Sequence, residues 1–235
     1  MPEVPVITVD GPSGTGKGTL CSYLAHWLHW HLLDSGALYR VLALAAVERA
    51  IDPDDGAGLA ALAETLEVDF RQQGTGKDVR VIWEQRDVSQ AIRTESCGKI
   101  ASHLAASPSV RRALLDRQHT FRKPPGLVAD GRDMGTVVFP DAGLKIFLTA
   151  SPETRAQRRH NQLNEKGFDV NLAQLSVDIT ERDTRDRQRT VSPLRPAEDA
   201  VVIDTTDLTI DEVIRRVSVL VSDHFPGVRA LPEGE

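Results

Sequence analysis

Apolar residues come along this chain in two rhythms. Short β-branched runs alternate with longer stretches in which apolar side chains recur every three or four positions. The first rhythm suits a buried strand and the second an amphipathic helix. Val4 to Val9 reads as a strand, and a glycine-rich turn leads from it into a helix from about Lys17 to Trp30. His31 to Asp34 is a second strand ending on an acid. Ser35 is placed to cap the next helix, which carries Leu38, Leu42, Ala45 and Ala46 on one face. Gly126 to Asp130, Leu144 to Leu148 and Val201 to Ile203 are further buried strands. Ser107-Pro108 and Ser151-Pro152 each pair a cap residue with a proline in the first helical turn. Thr209 and Glu212 form a capping box for a final helix, whose apolar face is Ile210, Val213, Ile214, Val217 and Val221. Strands alternating with helices predict an α/β fold around a doubly wound, mostly parallel sheet. Ligands bind such sheets beyond the C-terminal ends of the strands, where Asp10-Gly11, Asp34-Ser35 and Asp130-Gly131 fall.

The rhythm breaks between about residues 56 and 100. An Ala/Leu helix from Leu59 to Leu66 precedes two alternating stretches, Val68 to Arg71 and Val79 to Trp83, with Gly74 to Lys77 between them. That is a hairpin signal, and a hairpin inside an α/β pattern marks an inserted lobe. The chain's 235 residues suffice for one α/β core with small lobes, not for two large domains. No run approaches the eighteen or so apolar residues of a membrane helix. The opening MPEVPVITVDG lacks the basic region and cleavage site of a signal peptide. Cys21 and Cys97 make neither a CxxC pair nor a zinc spacing, so a reducing cytoplasm is the expected compartment. A net charge of −6 disfavours a general nucleic-acid binder but permits local arginine clusters. His26, His29 and His31 read as structural or surface residues, and Trp27 and Trp30 as core. The tail from Pro226 is expected to be disordered.

Gly11, Pro12, Ser13, Gly14, Thr15, Gly16, Lys17, Gly18 and Thr19 follow the first strand and open a helix, the setting a phosphate-binding loop requires. The glycines let backbone N–H groups turn towards phosphate oxygens. The helix N-terminus adds partial positive charge, and Lys17 adds a full one. Gly18 stands where the general pattern has Ser or Thr. This form is similar to nucleoside monophosphate kinases more than to GTPases. It leaves open whether a protein hydroxyl binds Mg²⁺ directly or water supplies the ligands.

A kinase of that kind must also hold a second phosphate and screen the charge between the two, for which the planar, permanently charged arginine is suited. Arg182, Asp186 and Arg189 stand at i, i+4 and i+7 on one helix face, able to grip a phosphate and a sugar hydroxyl. Arg155 and Arg159 are likewise four apart. A solvated helix of charge pairs is the plain alternative for both groups. Asp130-Gly131-Arg132-Asp133 follows a buried strand, and Asp130 is placed to orient waters on Mg²⁺.

Four segments carry a more specific likeness: GPSGTGKGT, LLDSGALYR from Leu32 to Arg40, DGRDMGTVVFP from Asp130 to Pro140, and ERDTRDR from Glu181 to Arg187. In order and spacing they resemble the bacterial cytidylate kinases, from about Val6 to about Val221. The resemblance implies a P-loop kinase core with a nucleotide-binding lobe enlarged by a small β-containing insertion, and a helical lid. The core would take residues 1–34, 107–154 and 171–225, the lobe 35–106 with its insertion at about 65–97, the lid 155–170 and the tail 226–235. Gly11 through Thr19 would hold the ATP phosphates. Ser35, Arg40, Arg132 and Arg189 would surround the acceptor phosphate and sugar. Ser102, Arg111 and Asp133 would read the cytosine ring, and Arg182 and Asp186 the ribose. Lys17, Asp130 and the lid residues Arg155 and Arg159 would serve the transfer itself. A cytoplasmic monomer is implied, using ATP with Mg²⁺ on CMP and dCMP, with no nucleic-acid polymer, no membrane and no metal-ligating residue of its own. A nucleotide-binding regulator without catalysis, or a kinase for another small acceptor, are the other readings. Neither Lys17 nor a lid arginine is missing, as the first of these would favour.

Overall fold

The computed structural model describes residues 4–73, 78–165, 167 and 170–227. In chain order come β1 (Val6–Asp10), α1 (Lys17–Leu28), β2 (His31–Asp34), α2 (Ser35–Glu48), α3 (Gly56–Glu64), β3 (Val68–Gln73), β4 (Asp78–Trp83), β5 (Arg86–Asp87), α4 (Glu95–Leu104) and α5 (Pro108–His119). They are followed by β6 (Leu127–Gly131), β7 (Leu144–Thr149), α6 (Pro152–Asn164), α7 (Leu172–Gln188), β8 (Val201–Asp204) and α8 (Ile210–His224). Five strands form one parallel sheet in the order β2-β6-β1-β7-β8. The central strand β1 is buried along its whole length, as a parallel sheet covered on both faces requires.

Alternation within the strands sorts the core. Ile7, Val9, Val128, Ile146 and Leu148 pack on one side against Leu20, Leu24, Val213, Val217 and Val221 of α1 and α8. Val6, Leu33, Leu127 and Ala129 pack on the other against Met134, Val138 and Phe139. A separate apolar cluster joins α2, α3, α4 and α5 to Val81 and Trp83 of β4. The insertion therefore has its own core, built partly on α2, and its β3-β4-β5 sheet is antiparallel and separate from the main one. The hairpin expected between Val68 and Trp83 is present, and its turn at 74–77 lies outside the described residues.

Local chemistry shifts several expected boundaries. α1 stops at Leu28 because His29 takes a left-handed conformation (φ 53°) and its N–H bonds back to Ala25 and His26. Ser35 is not the cap of α2. Asp34 fills that role, its carboxylate accepting from the Ala37 N–H at 2.8 Å, and Ser35 is already helical. The Ala/Leu helix starts early, at Gly56, because Asp55 caps it through the Gly58 N–H. After β6 the chain forms a short π-helix, Met134–Val138, with bonds from Val138 N–H to Asp133 and from Phe139 N–H to Met134. Trp30 packs in the core edge-on to Phe225, and His31 bonds the Pro124 carbonyl, both as structural residues. Pro226 and Gly227 form a turn, and the rest of the tail lies outside the described residues.

Candidate active site

The loop from Gly11 to Thr19 leaves the buried end of β1 and turns sharply into α1. Gly11, Gly14 and Gly16 have φ of 144°, 83° and 93°, values that favour glycine. At Gly11 space adds a second demand, since a Cβ there would lie 2.1 Å from the Leu148 carbonyl oxygen. The loop's carbonyls are occupied from behind. Pro12 O accepts from Lys17 Nζ at 2.7 Å and from the Thr15 hydroxyl at 3.1 Å. Ser13 O accepts from Arg155 at 3.1 Å, and Thr15 O from the Thr205 hydroxyl at 3.3 Å. The first N–H groups of α1 have no acceptor within the helix. The loop thus keeps its acceptors engaged and its donors available, which suits an anion.

Two strand-end acids lie beside the loop. Asp130 packs against Gly18, where a Cβ would stand 3.6 Å from Asp130 Oδ2. Burial pushes the Asp130 carboxyl upward against the pull of Lys17, and burial with the Arg132 charge pulls Lys17 downward. Asp10 receives the Met134 and Gly135 N–H groups at 2.8 Å each, which ties β1 to the π-helix. Burial still outweighs those bonds and raises its pKa to about 6.

Next to the loop a cleft is lined by Ser35, Tyr39, Ser102, Arg111, Arg132, Asp133, Arg182, Asp186 and Arg189, with small residues between them. Eight of the nine residues expected around an acceptor nucleotide are therefore together. Asp186 accepts from Arg132 Nε at 3.1 Å and from Arg189. Although burial acts to raise it, Arg132, Arg189 and Arg182 hold its carboxyl below the usual range. Asp133 accepts from Arg111. Arg182 has a buried Nε with no partner, and burial and the Arg132 charge pull it down to about 10. Four arginines thus face two carboxylates, an excess of two positive charges. Arg132 and Arg182 also bear on Lys17, so cleft and loop share one field.

Two of the expected arginines are engaged by groups of the protein itself. The Arg40 guanidinium donates to the Ile92 and Thr94 carbonyls at 2.7 and 3.1 Å, and its charge also bears on Arg182 of the cleft. Arg155 is buried. It is 1% exposed, and its three nitrogens donate to Ala150 O, Ser13 O and Asp183, the last at 2.5 Å. The start of α6 lies against the phosphate loop, so a residue one turn in faces that loop and α7. Arg159, a turn further on, donates to Glu95 of α4 at 2.5 Å. Lys166, Phe168 and Asp169 of the expected lid lie outside the described residues.

Asp183, Tyr39, Gln118 and Glu95 are contributors the sequence reading missed. Gln118 takes the Ser35 hydroxyl at 2.8 Å, and Asp183 shares α7 with Asp186 but turns to the opposite neighbour. The signal for Tyr39 was its place in LLDSGALYR, directly before Arg40. Cys21 and Cys97 are free and buried, and burial pushes both thiols up, away from the nucleophilic thiolate.

A parallel sheet whose first strand feeds a glycine-rich loop and helix, next to an arginine-lined cleft, defines a P-loop kinase. The profile of the cytidylate kinase family matches residues 7–223. Cytidylate kinases of Aeromonas salmonicida and Methylococcus capsulatus are 60% and 58% identical over 218 and 221 residues. Those spans cover 92% and 94% of this chain and 94% and 98% of the relatives. The cytidylate kinase of Stutzerimonas stutzeri is 58% identical over 220 residues, 94% of this chain and 96% of its own. The chain belongs to the cytidylate kinase family.

Proposed function

We propose that this protein transfers the γ-phosphoryl group of ATP to CMP and dCMP, giving ADP with CDP or dCDP, in the cytoplasm. An oxygen of the acceptor phosphate attacks the γ-phosphorus in line. The bond to the β–γ bridging oxygen breaks, and ADP leaves. The loop from Gly11 to Thr19 cradles the donor phosphates, and Lys17 swings from Pro12 O to the transferring group. The observation that carries this reading is the cleft's excess of two positive charges, which matches the roughly −2 charge of a monophosphate. Ser35, Arg40, Arg132 and Arg189 surround that phosphate and its sugar, Arg182 and Asp186 contact the ribose, and Ser102, Arg111 and Asp133 read the base. Arg159 exchanges Glu95 for phosphate when α6 closes on the substrates.

The donor set beside the loop is all oxygen, the Asp130 carboxylate and the exposed Thr19 hydroxyl. That fits Mg²⁺ arriving with ATP and keeping most of its waters, which Asp130 would orient. When bound, the ion draws charge off the phosphoryl oxygens.

Base choice follows from donor and acceptor chemistry. Cytosine offers an amino group at C4 and an acceptor at N3, and uracil reverses both. Ionised Asp133 accepts and Arg111 donates, so uracil leaves two unpaired contacts at roughly 1–3 kcal/mol each. CMP should therefore exceed UMP in kcat/KM by about one to four orders of magnitude. A coupled ADP-release assay with CMP, dCMP, UMP and AMP tests this. CMP and dCMP should lead, and Asp133→Asn should narrow the gap to UMP. Equal turnover of CMP and AMP, or an equal loss on both pyrimidines in Asp133→Asn, would overturn the assignment.

A further inference from the structure

Tyr39 sits on α2 with its ring in the apolar cluster of the lobe, and only 7% of the residue is exposed. Its far end is different in kind. The residue lines the cleft, yet its hydroxyl is buried and has no hydrogen-bond partner. Buried hydroxyls are ordinarily paired, and an unpaired one is destabilising unless something else supplies the partner. Among the described residues of the cleft, the other buried polar side-chain atom without a partner is Arg182 Nε. Arg182 Nε–H can only donate, and the Tyr39 hydroxyl keeps its proton because burial lifts its pKa to about 12. Two unused donors in a cleft with surplus positive charge suit a ligand that offers acceptors, a sugar oxygen for Arg182 and a group that only accepts for Tyr39. A phosphoryl oxygen is such a group. A pyrimidine edge presents both donors and acceptors.

We propose that Tyr39 is a binding residue for the acceptor phosphate, its hydroxyl donating to a phosphoryl oxygen of the nucleoside monophosphate. This rests on the reading of the cleft as the acceptor site. The Arg111 guanidinium lies 5.9 Å from the centre of the Tyr39 ring. Phenylalanine keeps that ring and contact, so Tyr39→Phe removes the donor and little else.

The test is a titration of CMP and of cytidine, which lacks the phosphate, onto wild type, Tyr39→Phe and Arg182→Ala. Tyr39→Phe should weaken CMP about tenfold or more, as loss of a hydrogen bond to a charged group does. Cytidine affinity should stay at the wild-type value. The thermal midpoint should not fall, since the lost hydroxyl satisfied nothing in the empty protein. Arg182→Ala should weaken CMP as well. If Arg182→Ala weakens CMP while Tyr39→Phe does not, the role of Tyr39 is wrong and the cleft reading stands. If neither variant affects CMP, the cleft is not the acceptor site and both fall. An equal loss of CMP and cytidine in Tyr39→Phe would assign the hydroxyl to base or sugar and overturn the phosphate contact.

Discussion

Arg155→Ala separates a buried strut from a lid residue. Arg155 and Asp183 are 1% and 4% exposed, and the guanidinium also holds the Ser13 carbonyl of the phosphate loop. Truncating the arginine leaves Asp183 as a buried charge without its partner. Removing one member of such a pair costs about 3–5 kcal/mol. A chain of this size loses roughly 2–4 °C in Tm per kcal/mol, so the midpoint should drop by roughly 6–20 °C. The double variant Arg155→Ala/Asp183→Ala should recover part of that loss, because an unpaired acid is worse than no pair. Arg159 gives the contrast. Its partner Glu95 is solvent-accessible, and a pair of that kind contributes about 0–1 kcal/mol, so Arg159→Ala should keep its Tm and lose kcat. Thermal unfolding and steady-state kinetics on the three variants decide the matter. If Arg155→Ala unfolds at the wild-type midpoint while its kcat collapses, Arg155 is a lid residue and the strut is wrong.

Lys17→Ala should lower kcat by about two orders of magnitude or more, as loss of a major electrostatic donor does, with CMP affinity little changed; near-normal kcat would remove the phosphate-loop assignment. Gly11→Ala should destabilise the fold by about 1–3 kcal/mol or more, because its Cβ meets the Leu148 carbonyl and its φ is 144°; an unshifted urea midpoint counts against that geometry. The folded pKa of Asp10 is raised from 3.8 to about 6, so its contribution to stability is fully present below pH 3.8 and lost as pH rises through 6. At 1.36 kcal/mol per unit, the stability of wild type relative to Asp10→Asn should fall by up to about 3 kcal/mol between pH 4 and pH 7; a difference that grows over that range refutes it.

What could be read from the chain alone was what local chemistry decides. The strands are apolar runs, and the phosphate loop is a spacing of glycines and a lysine between a strand and a helix. Both are visible within about twenty residues. Even the α2 cap was misplaced by only one position, because Asp34 and Ser35 are both capping residues. The misses depend on contacts far apart in sequence. Which side Arg155 faces follows from where α7 lies. The π-helix after β6 is held by Asp10, on a different strand, through two backbone N–H groups. The contacts of the Arg40 guanidinium with the Ile92 and Thr94 carbonyls, from the end of the insertion, are likewise out of reach of a local reading. Tyr39 reads as one more apolar position on α2, since nothing local distinguishes a phenol end that stops in the cleft.

α7 serves two masters. Asp183 points to Arg155 behind the donor loop, while Arg182, Asp186 and, just past its end, Arg189 point into the cleft. An α-helix turns about 100° per residue. One extra codon between Leu175 and Asp183 would swing every later side chain by that angle and lose both partnerships at once. The same codon placed ahead of Leu172 would leave the phase intact. Changes in gene length should therefore be tolerated on the approach to α7 and eliminated within it, even where the inserted residue is an alanine that any helix accepts.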